Sequence, residues 1–502
     1  MRILKTLPLF VILMGFSAVA MLIPSIYASV LDQHRVAQPF LYSAILFGFL
    51  TGILALTTAG RVSRRPARDH LLTLLAAFSV LPLMLAVPMQ QAVGNMSMFN
   101  AYFEMVSSMT TTGATVFEVP GRITEPVHIW RAMVGWLGGF LTLVTAIALL
   151  APMNLAGFEV LRPIADSDDA ERAIAASDPN TRMVRFSARI FPLYLGATLA
   201  LWFILSVLGM APYPAAMIAM STMATSGIVP DGGLNGLDAG ILPEIFIALF
   251  LIFSLSRQTL LNDFNLSVVA RLRSDREVRL ATVFLVTVPL FLILRHWIGA
   301  FEVNDQENVV TGLRALWGSI FSVISFLTTT GFISSQWDAA QSWSGLPTPG
   351  LIFAGLAIVG GGVATTAGGV KLLRVYALYK HGFREMERLV HPNSIGPAGV
   401  LGRNVRRQGA VVAWIFFMLF ALTTAVVTIT LTAMGYDFEQ AMIFAISALS
   451  NTGPLAESAL SDGSGYATLR DFAKGVLLAA MVLGRLETLA IIALFNPDFW
   501  RR

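Results

Sequence analysis

The sequence predicts an all-α polytopic membrane protein. Four pseudo-repeats of helix, pore helix, filter loop and helix surround one pore, and an N-terminal two-helix hairpin precedes them. Three observations carry this reading. Of 502 residues, 56% are hydrophobic and 13% charged, where a soluble globule carries about 25% charge. A polar stretch, Ser107-Ser108-Met109-Thr110-Thr111-Thr112-Gly113-Ala114-Thr115-Val116, lies between two strongly apolar segments. Stretches of the same kind recur at residues 221–227, 326–332 and 447–454. Their glycines run from Gly113 to Gly227, Gly331 and Gly453, in steps of 114, 104 and 122 positions. A period of that size identifies an internal repeat, which has to be recognised before any other fold reading.

The hairpin occupies residues 1–68. Its first helix, residues 7–30, follows Arg2 and Lys5. Ser17-Ala18-Val19-Ala20 offers the small residues of a signal-peptide cleavage site. The apolar stretch exceeds the usual 7–15 residues or so of a signal core, so a retained helix is expected. A second helix spans 38–58, and Arg61, Arg64, Arg65 and Arg68 follow it. Such a basic loop marks the cytoplasmic side and places both chain ends there.

The first repeat, 69–160, has spans at 71–89 and 129–153, a short helix at 99–109 and a loop at 110–116. A mixed-charge connector, 154–185, reads as solvated. The second repeat, 161–275, has spans at 186–210 and 241–255 and a short helix at 213–223. The third, 276–395, has a span at 280–298, a short helix at 312–327 and a second span from residue 350. The fourth, 396–502, has spans at 410–434 and 475–495 and a dipping segment at 438–449. Its tail, Phe499-Trp500-Arg501-Arg502, puts Trp at the inner interface. Outward loops hold Asp231, Asp238, Glu302, Asp305, Glu307, Asp338, Glu457 and Asp462. These form either an acidic mouth that concentrates cations or simply the loops that the positive-inside rule leaves without Lys and Arg.

The polar loops carry the chemistry. β-Branched Thr loses side-chain freedom in a helix, and Gly costs about 1 kcal/mol against Ala there. Non-helical backbone at membrane depth must be buried in protein or line a water-filled path. Rows of carbonyls and threonine hydroxyls can replace the hydration shell of a cation. Four short helices ending at these loops would aim their negative dipole ends at the same axis.

Other chemistries find little support. The absence of Cys excludes disulfides and thiolate metal sites. His34, His70, His128, His296, His381 and His391 all fall at or beyond span ends, and no His–Glu or Ser–His set is visible, so no enzyme is expected. A coupled carrier needs intramembrane carboxylates or broken-helix sites, and candidates are few: Asp263 and Glu487 lie toward the inner side. The net charge of +4 and pI near 9.5 reflect basic residues in short loops between spans, not nucleic-acid binding. Lys371, Arg374, Lys380, Arg384, Arg403, Arg406 and Arg407 form a basic inner surface suited to anionic lipid or a protein partner.

Two further features stand out inside the spans. Gly360-Gly361-Gly362 and Gly368-Gly369 bracket Thr365-Thr366 and break a helix in mid-membrane. Small residues at helix contacts are the alternative explanation. No strand precedes this run, so it is not a nucleotide fingerprint. Arg485 sits about ten residues into a span, where a charge costs about 2.5–3.5 kcal/mol and has to face the bundle interior. A structural pair with Glu487 or a loop carbonyl is the alternative to a pore-facing role. Glu104, in the first short helix, reads as a hydrogen-bond anchor for its loop, with an ion ligand as the alternative.

These residues resemble the Trk/Ktr/HKT potassium-uptake superfamily, and within it the TrkH-type pore subunits. The likeness runs through the four loops. It extends to Ile129-Trp130-Arg131-Ala132, Trp136-Leu137-Gly138-Gly139, the run from Gly360 to Lys371, and Gly484-Arg485-Leu486-Glu487 with Phe499-Trp500-Arg501. The N-terminal hairpin matches the TrkH type rather than the shorter Ktr subunits. The resemblance implies a K⁺ filter at Thr111, Thr112, Gly113, Thr225, Ser226, Gly227, Thr329, Thr330, Gly331, Asn451, Thr452 and Gly453. It implies a gate at Gly360, Gly361, Gly362, Thr365, Thr366, Gly368, Gly369 and Lys371, with Arg485 projecting below the filter. Four glycines imply K⁺ over Na⁺, since plant relatives with serine at the first position favour Na⁺. It also implies no cofactor in this chain, K⁺ as the transported ion, a homodimer, a TrkA-type cytosolic ring that binds nucleotide, and a bacterial inner membrane location. Loop two, Ala224-Thr225-Ser226-Gly227, and loop four, Asn451-Thr452-Gly453-Pro454, depart from the pattern. Pro454 has no N–H, so a short filter of moderate selectivity is expected. Whether transport is Na⁺- or H⁺-linked stays open.

Overall fold

The computed structural model describes residues 7–60, 66–117, 119–151, 179–230, 233–234, 240–256, 272, 275–299, 309–344, 350–391, 407–460 and 465–486. Every regular element among them is helical. Among the described residues, seven stretches are long and apolar enough to cross a membrane, with mean hydropathies between 2.0 and 2.5.

The hairpin forms from α1 (Leu9–Ala20), α2 (Leu22–Val30) and α3 (His34–Thr58). α1 and α2 are one span with a step at Met21, because Pro24 has no N–H for the carbonyl one turn back. α3 packs against both, and Ser25 Oγ donates to the Ala37 carbonyl at 3.0 Å. Only 17% of α3 is buried. Its exposed Phe49 and Leu56 form the apolar face that a lipid-contacting helix needs.

α4 (Pro66–Ser79) and α5 (Leu81–Val93) make one span that steps at Val80, where Pro82 removes a helical donor. α6 (Met98–Met109) starts at Ser97, whose hydroxyl accepts from the Asn100 amide at 3.1 Å; such a cap satisfies one orphan donor. α7 (Glu125–Thr145) runs into a π-turn, Ala146–Leu150, and 78% of this span is buried. α8 (Pro179–Val207) and α9 (Pro212–Ala224) follow, then α10 (Ile241–Leu251) with a 3₁₀ turn, Ile252–Ser254. Next come α11 (Arg276–Gly299), α12 (Val309–Leu327), α13 (Trp337–Ser344), α14 (Gly350–Val359) and α15 (Leu372–Val390). α16 (Arg407–Ala433), α17 (Phe438–Ser450), α18 (Pro454–Ala459) and α19 (Asp471–Leu486) complete the described chain.

One pattern of contacts occurs four times. The short helices α6, α9, α12 and α17 each pack between two flanking helices: α5 and α7, α8 and α10, α11 and α14, α16 and α19. The second flanking helix of each set also touches the short helix of the next: α7 on α9, α10 on α12, α14 on α17, and α19 back on α6. Small residues allow these approaches, as in membrane helix contacts generally. Gly138 lies against the Met109 carbonyl, Gly139 against Ala224, and Gly484 against the Leu449 carbonyl.

Two expected spans are shorter than read from sequence. The 241–255 segment is α-helical only to Leu251 and then tightens into its 3₁₀ turn. The span from residue 350 stops at Val359, because Gly360 takes φ +72° and the next eleven residues have no helix. The connector 154–178, Asp231, Asp238, Asp263, Glu302, Asp305, Glu307, Asp462, Glu487 and the tail lie outside the described residues.

Candidate functional site

Each short helix ends in the same way. The residue two before each loop glycine is left-handed: Thr111 at φ 54°, Thr225 at 50°, Thr329 at 58° and Asn451 at 55°. The next amide reaches back to a serine carbonyl. Thr112 donates to Ser107 at 2.8 Å, Ser226 to Ser221 at 3.0 Å, Thr330 to Ser325 at 2.9 Å and Thr452 to Ser447 at 2.9 Å. This is a Schellman C-cap, a motif that normally puts Gly or Asn at the left-handed position. Threonine there is strained by about 1–3 kcal/mol and persists only where the surroundings enforce it. The serine six residues before each glycine is the signal that sequence reading passed over.

The loops close into a ring. A methyl group added to Gly113 would collide with the Ser226 carbonyl, and one on Gly227 with the Thr330 carbonyl and the Pro454 ring. One on Gly331 would meet Pro454, and one on Gly453 would meet Thr112, Gly113 and Ala114. Each glycine thus abuts the following loop, and the fourth returns to the first. The contact is sealed where the Gly453 amide donates to the Thr112 carbonyl at 2.5 Å. All twelve predicted filter residues lie in this ring, and the side chains of Thr111, Thr112, Thr225, Ser226, Thr329, Thr330, Asn451 and Thr452 are at most 1% exposed. The Thr111 hydroxyl and the Asn451 amide oxygen are buried with no hydrogen-bond partner among the described residues, as expected of groups that serve a water or an ion.

Buried carboxylates hold the loop exits. Glu104 Oε1 accepts from the Thr115 hydroxyl at 2.8 Å and the Val116 amide at 2.6 Å. Its Oε2 lies 2.8 Å from Arg131 Nε. This is the anchor read from sequence. A second anchor was not read. Glu244, fully buried on α10, accepts from the Ser335 amide at 2.5 Å, the Ser334 hydroxyl at 2.7 Å and the Trp317 indole at 2.8 Å. It therefore serves loop three from a neighbouring helix.

On one side of the ring a cavity of about 360 Å³ opens against Gly113, Gly227 and Gly331, with His128, Arg131 and Glu457 in its wall. On the other side the space shrinks to about 30 Å³, walled by Ala364, Thr365, Ala367, Gly368, Lys371 and Arg485 among others. That volume holds a water or two.

The predicted gate residues form this second wall. Residues 360–371 leave helix α14 and run beneath the ring. The Gly368 amide donates to the Thr329 hydroxyl at 2.7 Å and the Thr366 hydroxyl to the Met223 carbonyl at 3.3 Å. Gly368 lies against the Ser450 carbonyl, and Gly360 against Gly368 and Gly369. Gly361 accepts from the Leu372 amide at 2.9 Å, and Gly362 donates to the Ser254 carbonyl at 3.0 Å. Lys371 Nζ donates to the Ala367 carbonyl. Thr365 closes a local turn onto Gly362 at 2.8 Å. Glu277, 4% exposed, accepts from the Val363 amide at 2.8 Å and was not read from sequence either. Asp263 and Glu487, the few intramembrane carboxylates named from sequence, lie outside the described residues, and Glu244 and Glu277 near span ends fold inward in addition to them.

Arg485 joins this wall. Its Nη1 donates to the Thr366 carbonyl at 2.7 Å and its Nε to the Thr142 hydroxyl at 2.9 Å. The side chain thus lies below the ring and is bound to a loop carbonyl at once. Of the pairings read from sequence, the one with a loop carbonyl is present, and Glu487 lies outside the described residues.

A family profile described as "TrkH: Cation transport protein" matches residues 36–502. The Trk system potassium uptake protein TrkH of Salmonella typhimurium is 30% identical over 415 residues, covering 81% of this chain and 80% of its own length. The protein of that name from Halomonas elongata is 29% identical over 504 residues, 98% of each chain. The crystal structure of the potassium transporter TrkH from Vibrio parahaemolyticus matches with a TM-score of 0.81 and 25% identity, covering 100% of both chains.

Proposed function

Since this chain belongs to the TrkH family of cation transport proteins, we propose that it carries K⁺ into the cell through the ring of four loops. The observation that carries the reading is the cyclic order of contacts, in which each loop glycine abuts the next loop and the fourth abuts the first. A closed ring of backbone at membrane depth can exchange an ion's water for protein oxygen. The four units 69–160, 161–275, 276–395 and 396–502 are the repeats that supply it. The 360 Å³ cavity is the outer vestibule, and the wall at residues 360–371 with Arg485 is the inner gate. A gate cation beneath the ring raises the barrier to a permeating cation.

A proton- or sodium-coupled carrier gains little from the buried carboxylates. Glu104, Glu244 and Glu277 all accept hydrogen bonds from loop amides, which marks them as anchors. We assign the chain to the bacterial inner membrane with both ends cytoplasmic, as a homodimer whose gate answers to a nucleotide-binding TrkA-type ring. The basic gate-side surface and the family support this assignment.

The test is Gly331→Ser in purified protein reconstituted into vesicles. Loop three should lose its left-handed turn, since Gly331 sits at φ +81°. We expect the K⁺ to Na⁺ flux ratio to fall about tenfold, the equivalent of about 1.4 kcal/mol. An unchanged ratio in a folded variant removes the filter assignment.

A further inference from the structure

The four loops are alike in their caps but not in what their carbonyls do. Among the described residues, no donor lies within hydrogen-bond distance of the carbonyls of Ser226, Gly227, Thr330 or Gly331. Loop four is different. Its Gly453 has helical angles, φ −55° and ψ −45°, where the other three glycines are left-handed. The chain therefore turns at once into α18. The Leu455 amide donates to the Thr452 carbonyl at 3.1 Å and the Ala456 amide to the Gly453 carbonyl at 3.2 Å.

Two hydroxyls hold the same carbonyls from the side. Ser447 Oγ lies 2.8 Å from the Thr452 carbonyl and 3.3 Å from that of Gly453. Tyr466 Oη lies 3.1 Å from the Gly453 carbonyl and 2.6 Å from Ser447 Oγ. Two hydroxyl protons serve these contacts, so the chain runs either from Tyr466 through Ser447 to loop four or in reverse. In both directions a loop-four carbonyl is the last acceptor. Tyr466 is 1% exposed and rests against Phe444 and Phe103 at 5.1 and 5.9 Å between ring centroids. Burial pushes its phenol above the ordinary range, so it stays protonated and able to donate.

We propose that Tyr466 and Ser447 strap the fourth loop off the axis, so that the ion at the level of the glycines is coordinated from one side, by loops one to three, while loop four is a wall. This rests on the filter reading above and adds two positioning residues to it. Loop one is also reduced, because the Thr112 carbonyl accepts from Gly453. A carbonyl already holding two or three donors has little lone-pair density left for an ion. A lopsided shell held at fixed width by a strap discriminates by size only while the strap holds. Released, the ring can contract onto the smaller Na⁺.

The experiment compares wild type, Tyr466→Phe, Ser447→Ala, Ser447→Thr and the Ser447→Ala/Tyr466→Phe double variant in vesicles, with Gly331→Ser as the reference. Tyr466→Phe keeps the ring packing and removes one donor. The K⁺ to Na⁺ flux ratio should fall about three- to tenfold, the worth of one hydrogen bond. It should fall further in the double variant and recover in Ser447→Thr, with melting temperatures near wild type. A thallium-soaked crystal structure should place the ion nearer the carbonyls of Ser226, Gly227, Thr330 and Gly331 than those of Thr452 and Gly453. Equal distances to all four loops, or an unchanged ratio in the double variant, overturns the strap. If Gly331→Ser also leaves the ratio unchanged, the filter reading fails instead.

Discussion

At the scale of single residues, charge near the ring decides what reaches it. Glu457 lies on the vestibule wall with Arg131 and His128. The surrounding protein desolvates its carboxyl and raises its pKa, Arg131 opposes that shift, and Glu104 adds to it. An ionised Glu457 attracts cations to the mouth, so uptake at low K⁺ should be greatest above the raised pKa and fall as outside pH drops through it. Glu457→Gln should lower uptake at neutral pH about threefold and flatten that decline, a size suited to one partly solvated charge. A variant that follows the wild-type pH curve would remove Glu457 as the source of the decline. Legibility was uneven at this scale. Glu104 stood out because members of the family that the sequence resembles also carry Glu at that position. Glu244 and Glu277 did not, because each falls in the first turn of its helix. There, sequence does not separate an acid facing the membrane surface from one folded inward onto a loop amide.

At the scale of elements, the break between α14 and α15 is tied to its neighbours by several bonds. Arg485 ties the Thr366 carbonyl to Thr142 on α7, and bonds to a charged group are worth about 1.5–3 kcal/mol each. Arg485→Ala should therefore raise basal K⁺ leak about tenfold or more in vesicle flux. Deleting residues 363–367 should raise it further, and a silent pair of variants would make the run a packing device. The break itself was legible, since five glycines within ten positions cannot be a helix interior. Its attachments were not. Met223, Thr329 and Ser450 belong to three different repeats, and no local pattern announces contacts made so far along the chain, 143 positions in the case of Thr366 and Met223. The same holds for the α10 segment. Its composition reads as a full span, but it ends early because the 360–371 run occupies the space beside Ser254, whose carbonyl accepts from Gly362.

At the scale of the whole molecule, a single chain that supplies all four loops is free to make them unequal, as a ring of identical subunits is not. That freedom explains why loop four can hold Pro454 and pass straight into α18 while the others keep left-handed glycines. It leaves the gate with one distinctive exit. α15 begins directly after Lys371, at the end of the 360–371 run, and carries Tyr379, Phe383, Met386 and Val390 on its exposed surface. Their steps of four, three and four residues make the apolar seam of a heptad. Lys380 and Arg384 beside the seam keep α15 out of the apolar core of a membrane, so a protein surface is the better cover for it. A second copy of α15 offers the self-complementary patch that a two-fold dimer needs. On the proposed homodimer, Phe383→Glu combined with Met386→Glu would place two charges in that seam and shift the detergent-solubilised protein from dimer to monomer mass in native mass spectrometry. Neither residue touches the ring, so the K⁺ to Na⁺ flux ratio should stay at its wild-type value while the mass halves. A double variant that keeps the dimer mass would assign α15 to the regulatory ring instead, and loss of flux regulation by that ring would then be the matching readout.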